Sequence, residues 1–228
     1  MPKSPLKKRK RAARKSRPNK NVFINCPFDP KFKGIFDALV FAVLDMGYIP
    51  RCALESDDSG EIRFNKICAI IRESDYGIHD ISYVRLDPAT NLPRFNMALE
   101  LGLYLGCRVF GGADHGNKNC LILDKEPYRY MRFVSDISGQ DIHSHKNKPE
   151  NAVHEVRDWI VNLTRSRDKI PSGEFIWKRY GEFKRDLRKI CAKIGKDHSQ
   201  LTFLEYVDVV RKWRDSPLGG EHLLVGLR

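Results

Sequence analysis

The sequence predicts a doubly wound α/β fold, a parallel sheet of the flavodoxin or Rossmann kind, followed by a helical C-terminal extension. Three observations predict it. Short apolar runs rich in β-formers (Asn21–Cys26, Tyr48–Leu54, Asp75–Asp80, Lys118–Asp124) alternate with helical patterns of 12 to 16 residues. Such alternation implies βαβ units on a parallel sheet, with right-handed crossovers. Beyond residue 126 the pattern becomes helical and no strong strand appears. The expected organisation is a basic tail over 1–20, an α/β domain over 21–125 and a helical extension over 126–228.

The elements follow in order. Pro27-Phe28-Asp29-Pro30 breaks the first strand. Phe32, Ile35, Phe36, Leu39, Val40, Val43 and Leu44 then repeat at helical spacing over 31–46, and Gly47 stops the helix. A polar turn, Glu55 to Gly60, leads from the second strand into a helix over 61–73, with Ile62, Ile67, Ile70 and Ile71 expected inward. After the third strand a loop with two prolines, 82–93, precedes a helix over 94–105 that is apolar almost all the way round. Such a helix is expected to be buried. Helices are expected over 129–138, 149–165, 174–194 and 201–215, the last two carrying aromatic stripes that read as core.

Charge is unevenly spread. The formal net charge is +12, but residues 1–20 hold ten Lys/Arg and no acid, while the remainder holds 31 Lys/Arg against 29 Asp/Glu. The folded part is therefore nearly neutral. Met1–Lys20 has the composition of a disordered arm able to add salt-sensitive attraction to nucleic acid, and Lys7–Arg11 matches a nuclear-import pattern. Six scattered cysteines form no C-x-x-C pair, which fits reduced core thiols in a cytoplasmic protein. No apolar run approaches the ~20 residues needed to cross a bilayer, so no membrane partner is expected.

The polar residues concentrate where open α/β sheets bind ligands, at the C-terminal ends of strands. After the first strand come Asn25, Phe28 and Asp29; after the second, Arg51, Glu55, Asp57, Asp58, Ser59 and Arg63; after the third, His79, Asp80 and Ser82. The following helix supplies Arg94, Asn96 and Glu100, the last two sharing a face. Glu100 lies amid apolar neighbours. Burial there raises a carboxyl pKa and a nearby cation lowers it, which makes it a functional candidate. No G-x-G-x-x-G follows the first strand and no P-loop, H-E-x-x-H or nucleophile elbow is present. Asp141, His143 and His145 form a D-x-H-x-H cluster that metal could use, but no metal site is expected.

A strand ending in Asp80, a loop, and a helix carrying Glu100-Leu101-Gly102 resemble the nucleoside 2-deoxyribosyltransferase family and the related TIR-like NAD-cleaving domains. Val22–Asp29, Pro50–Ser59, Gly77–Ser82 and Arg94–Gly102 are similar to uncharacterised bacterial proteins with such a core. The resemblance implies that Glu100 is the nucleophile and Asp80 a substrate contact, and that a neighbouring copy completes the site. It also implies a silent state released by a partner, as in TIR-like defence effectors. The transferases carry a second acid early in the Glu-bearing helix, where this chain has Arg94 and Asn96. That departure points away from free nucleosides and toward a phosphorylated substrate such as a nucleotide or NAD. The expected activity is N-glycosidic cleavage with no cofactor. Asp80 or Asp58 is expected to hold sugar hydroxyls or assist the leaving base, Arg51, Arg63 or Arg94 to clamp phosphate, and Phe28 to cover the base. Two other functions fit the same sequence: a non-catalytic nucleotide-binding module, and a nucleic-acid-associated protein acting through its tail.

Overall fold

The computed structural model describes residues 19–84, 91, 94–164 and 170–216. Most of the expected basic tail, most of the loop before Arg94, and Arg165 lie outside the described residues. Five strands form one all-parallel sheet: β1 (Asn21–Asn25), β2 (Ile49–Arg51), β3 (Tyr76–Asp80), β4 (Asn119–Asp124) and β5 (Ile142–Ser144). Their order is β2-β1-β3-β4-β5. The helices are α1 (Lys33–Asp45), α2 (Arg63–Glu73), α3 (Asn96–Phe110), α4 (Pro149–Thr164), α5 (Gly173–Lys193) and α6 (Phe203–Asp215). The chain steps from β1 outward to β2 and then back across β1 to β3, so the C-terminal ends of β1 and β3 flank the switch point where such sheets open a crevice.

Strand alternation divides the core. Val22, Ile24, Ile78, Leu121 and Leu123 point to one face, where they pack with α1, α4, α5 and α6. Phe23 points to the other, with Ile67, Ile70 and Ile71 of α2 and Tyr104 of α3. The helices thus cover both faces, as the doubly wound class requires.

Several expectations need correction. The helix buried all round is α1, not α3. Ile35 through Leu44 are all buried, because the sheet and α4 cover one side of α1 while α5 and α6 cover the other. In α3 only Met97, Leu101 and Tyr104 are buried; Leu99 is 56% and Phe110 86% exposed. No second layer covers α3 among the described residues. Ile62 was expected inward but stands outside at the start of α2 as an exposed residue. A fifth strand, β5, lies beyond residue 126. Its three residues, Ile142-His143-Ser144, are too few and too polar to show a period, yet they pair with β4. The sheet therefore draws its edge from the C-terminal part of the chain. Residues 129–138 form two short 3-10 turns, Arg129–Arg132 and Ser135–Ile137, rather than one helix.

The C-terminal helices are fastened to α1 by polar contacts as well as by packing. Buried Asp37 of α1 pairs with Lys33 at 3.1 Å and with His198 at 2.9 Å, and the Tyr206 hydroxyl donates to the Asp37 carbonyl at 3.1 Å. On the other face, Lys118 is 1% exposed and donates to the carbonyls of Ile71 (2.6 Å), Arg72 (3.3 Å) and Ser74. They lie in and just after the last turn of α2, where the Ile71 carbonyl also accepts from the Ser74 amide at 3.2 Å, so Lys118 caps the helix that leads directly into β3. No helix among the described residues is long and apolar enough to cross a membrane.

Candidate functional site

Asn25 ends β1 on the α2/α3 face. Its Nδ2 donates to the Met97 carbonyl at 2.8 Å and meets His79 Nδ1 at 3.1 Å. An amide nitrogen only donates, so His79 Nδ1 accepts and the ring proton is assigned to Nε2. Burial holds the imidazole pKa down at about 3, so the ring is neutral. The ring packs edge-on against Phe23 and Tyr104, with centroids at 5.7 and 4.8 Å. A Cβ at residue 77 would stand 2.7 Å from His79 Nε2 and 3.0 Å from the Tyr104 ring, which is why β3 carries Gly77 there. With both amide hydrogens engaged, Oδ1 is the atom of Asn25 that the two bonds leave uncommitted.

Above this platform lies a cleft of about 320 Å³, within the range of small-ligand sites. Asn25, Phe28 and Asp29 line it from the β1–α1 loop, Arg63 from the start of α2, and Arg94, Asn96 and Glu100 from the start of α3. Seven of the residues singled out in the sequence therefore converge. Glu100 is partly exposed, and burial pushes its carboxyl up from the usual range to about 7, against the lowering pull of the Arg63 guanidinium. Asp29 accepts from the Tyr83 hydroxyl at 3.0 Å and from the Lys31 amide at 2.8 Å. Phe28 meets Phe36 edge-on at 5.4 Å and leaves 39% of its surface exposed. Cys26 also lines the cleft, but burial, with a smaller contribution from the Asp80 charge, drives its thiol pKa well up and keeps it protonated.

Other expected residues are elsewhere. Asp80 is fully buried and does not line the cleft. It shares the side of β3 that carries Ile78 and so faces α1 and α4, whereas Glu100 hangs from α3 on the opposite face. There its Oδ1 accepts from the Ser82 amide at 2.9 Å and from the Ser82 hydroxyl, and its Oδ2 lies 3.0 Å from His145 Nε2. That last contact is poorly aligned for a hydrogen bond, although the distance is short. Arg51 is bound at 2.6 Å to Glu55 and at 3.2 Å to Glu73, away from the cleft. Asp58 is exposed and accepts from the Gly60 amide at 2.8 Å, an Asx turn before α2, and Ser59 is exposed beside it.

Asp141, His143 and His145 do not converge on a metal site. His143 turns to Glu155 at 2.5 Å while His145 points into the core at Asp80, and no group of three or more potential metal ligands occurs among the described residues. Tyr83 was missed in the sequence. The available signal was its position one residue past Ser82, at the same strand end. No protein-family model matches this sequence, and no curated protein matches it.

Proposed function

We propose that the crevice at the ends of β1 and β3 binds a nucleotide-like ligand and that Glu100 acts there on an N-glycosidic bond. One observation carries the reading. A carboxyl with its pKa raised to about 7 by desolvation sits in a cleft with Arg63, Arg94 and Asn96, the environment in which carboxyls with perturbed pKa values do chemistry. The likeness of the Glu100-Leu101-Gly102 segment to deoxyribosyltransferases and TIR-like NAD-cleaving domains supports the same role.

The chemistry follows from the charges. As the bond between the sugar carbon and the base nitrogen breaks, its electron pair leaves with the base and positive charge grows on the sugar. The ionised fraction of Glu100, about half at neutral pH, bonds to that carbon or shields it. A developing cation beside the carboxyl draws it further toward ionisation. Water then adds to the sugar carbon, loses a proton and frees the carboxylate. Arg63 and Arg94 suit a phosphate through paired N–H donors, Asp29 and Asn96 suit sugar hydroxyls, and Phe28 suits the face of a base. Asp80 contributes from below as a support of the Ser82–Tyr83 turn.

Purified protein incubated with NAD, nucleotides and nucleosides, followed by chromatography for free base, tests the reading. Wild type releases base, and Glu100→Gln folds and binds but releases none. A Glu100→Gln variant that turns over like wild type overturns the assignment. Thermal stabilisation by a ligand that wild type leaves intact selects the non-catalytic nucleotide-binding module instead.

A further inference from the structure

We propose that the outer face of α2 and α3 is a two-fold interface at which a second copy of this chain docks. The inference is independent of any role for Glu100.

Along α3, Leu99, Gly102, Gly106 and Phe110 form one stripe, and with Cys68, Ile71 and Arg72 of α2 they line a groove of about 600 Å³. Phe95, Leu99, Val109 and Phe110 are each more than half exposed, and Phe64 of α2 is 49% exposed. At about 150–250 Å² per large side chain, their uncovered surface is roughly 550 Å². That is at the top of the range for the largest apolar patch on a typical monomer. With the groove floor added it approaches the roughly 800 Å² that each partner contributes to a standard interface.

The glycines add an independent argument. Gly in a helix interior is unfavourable relative to Ala. A Cβ at residue 102 would meet nothing within 4 Å, and one at residue 106 only the Phe110 ring at 3.9 Å. Packing among the described residues therefore gives no reason for either glycine. Close approach by another chain does. The contrast with α1 points the same way: on that face, α5 and α6 supply the outer layer that an all-round apolar helix requires, and the face of α3 has none among the described residues.

The pattern also names the occupant. Large, small, small, large at 99, 102, 106 and 110 is close to a palindrome. A two-fold axis near the midpoint of the glycines lays α3 antiparallel on its copy, glycine over glycine, with Leu99 of each chain beside Phe110 of the other. An isologous contact requires this self-complementarity, a patch holding both ridge and groove.

Light scattering after gel filtration of the full chain, with sedimentation over a concentration series, tests the proposal. Wild type runs at twice the 26.4 kDa chain mass. Phe110→Lys puts a charge on a side chain that is 86% exposed. Gly102→Leu fills the groove where the chain itself leaves space and favours helix. Both variants keep the wild-type circular dichroism and weaken association roughly tenfold or more. Wild type at the single-chain mass at every concentration overturns the proposal, and so do variants that associate as wild type does.

Discussion

Asn25 and His79 stand opposite each other in the register of β1 and β3, and their side chains meet at 3.1 Å under the cleft. The contact requires His79 to stay neutral, because a protonated ring has no lone pair for the Asn25 amide. Burial enforces this, holding the pKa at about 3. The unfolded chain, with its imidazole near 6.5, takes up a proton that the folded chain refuses. Stability from this group is present above pH 6.5 and is lost as pH falls, by about 2 kcal/mol at pH 5. His79→Gln keeps an acceptor for Asn25 without the titration. Urea unfolding at pH 7 and pH 5 is expected to show that the variant loses less stability on acidification than wild type.

Glu100 has the opposite slope. Its folded pKa of about 7 exceeds the usual 4.5, so the folded state holds the extra proton between those values and stability falls as pH rises through them. From pH 7 down to pH 5 the gain from Glu100, about 1 kcal/mol after allowance for partial solvent exposure, offsets part of the loss from His79. Glu100→Gln removes that compensation. The variant is expected to be more stable than wild type at pH 8, by about 2 kcal/mol after allowance for partial solvent exposure, and to lose its advantage near pH 5. Melting curves at the two pH values check it. An equal stabilisation at both would show that the carboxyl carries no ionisation penalty.

Much of this arrangement was legible in the residues. The alternation of β and helical periods gave the parallel sheet, and the polar residues that follow the strands, Asn25 and Asp29 in a loop and Arg63 and Glu100 on the next helices, line one cleft, since both follow from local pattern. What failed depended on partners distant in sequence. The apolar runs in α1 and α3 look alike, and only the docking of α5 and α6 decides that α1 is buried all round while α3 is not. Asp80 was grouped with Glu100 because both follow β3. They diverge because the parity of a strand position decides its face, and the face taken by α3 is fixed by topology. Arg51 stood in the sequence as a candidate phosphate clamp after the second strand. Glu55, four residues on, and Glu73, at the end of a helix, claim it.

Lys118 makes a prediction about α2. Its ammonium is buried, desolvation lowers its pKa, and it sits 5.4 Å over the Tyr104 ring while serving three carbonyls. Lys118→Met fills the same space and takes this donor from the Arg72 and Ser74 carbonyls, while the Ile71 carbonyl keeps the Ser74 amide. Buried unsatisfied groups cost about 1–3 kcal/mol each, part of which water entering the site recovers. A net loss of about 3 kcal/mol is expected from chemical denaturation. Hydrogen exchange should speed up first in the last turn of α2, and a variant as stable as wild type would show that the three bonds contribute nothing net.

Asp80 separates support from catalysis. His145 Nδ1 accepts from the Asn147 amide at 3.0 Å, which leaves the ring N–H on Nε2, 3.0 Å from Asp80 Oδ2. The tautomer is fixed from the far side, so the ring cannot turn a lone pair toward residue 80. Asp80→Asn either opposes an amide N–H₂ to that N–H or turns the amide and gives up the Ser82 contact. Leaving a buried donor or acceptor unpaired there costs about 1–3 kcal/mol. The expected outcome is a marked loss of stability, read from denaturant midpoints, with base release per folded molecule kept within about tenfold of wild type, since no atom of Asp80 lines the cleft. The reverse result, full stability with base release lost as completely as in Glu100→Gln, would place Asp80 at the substrate and require β3 to present its other face to the cleft.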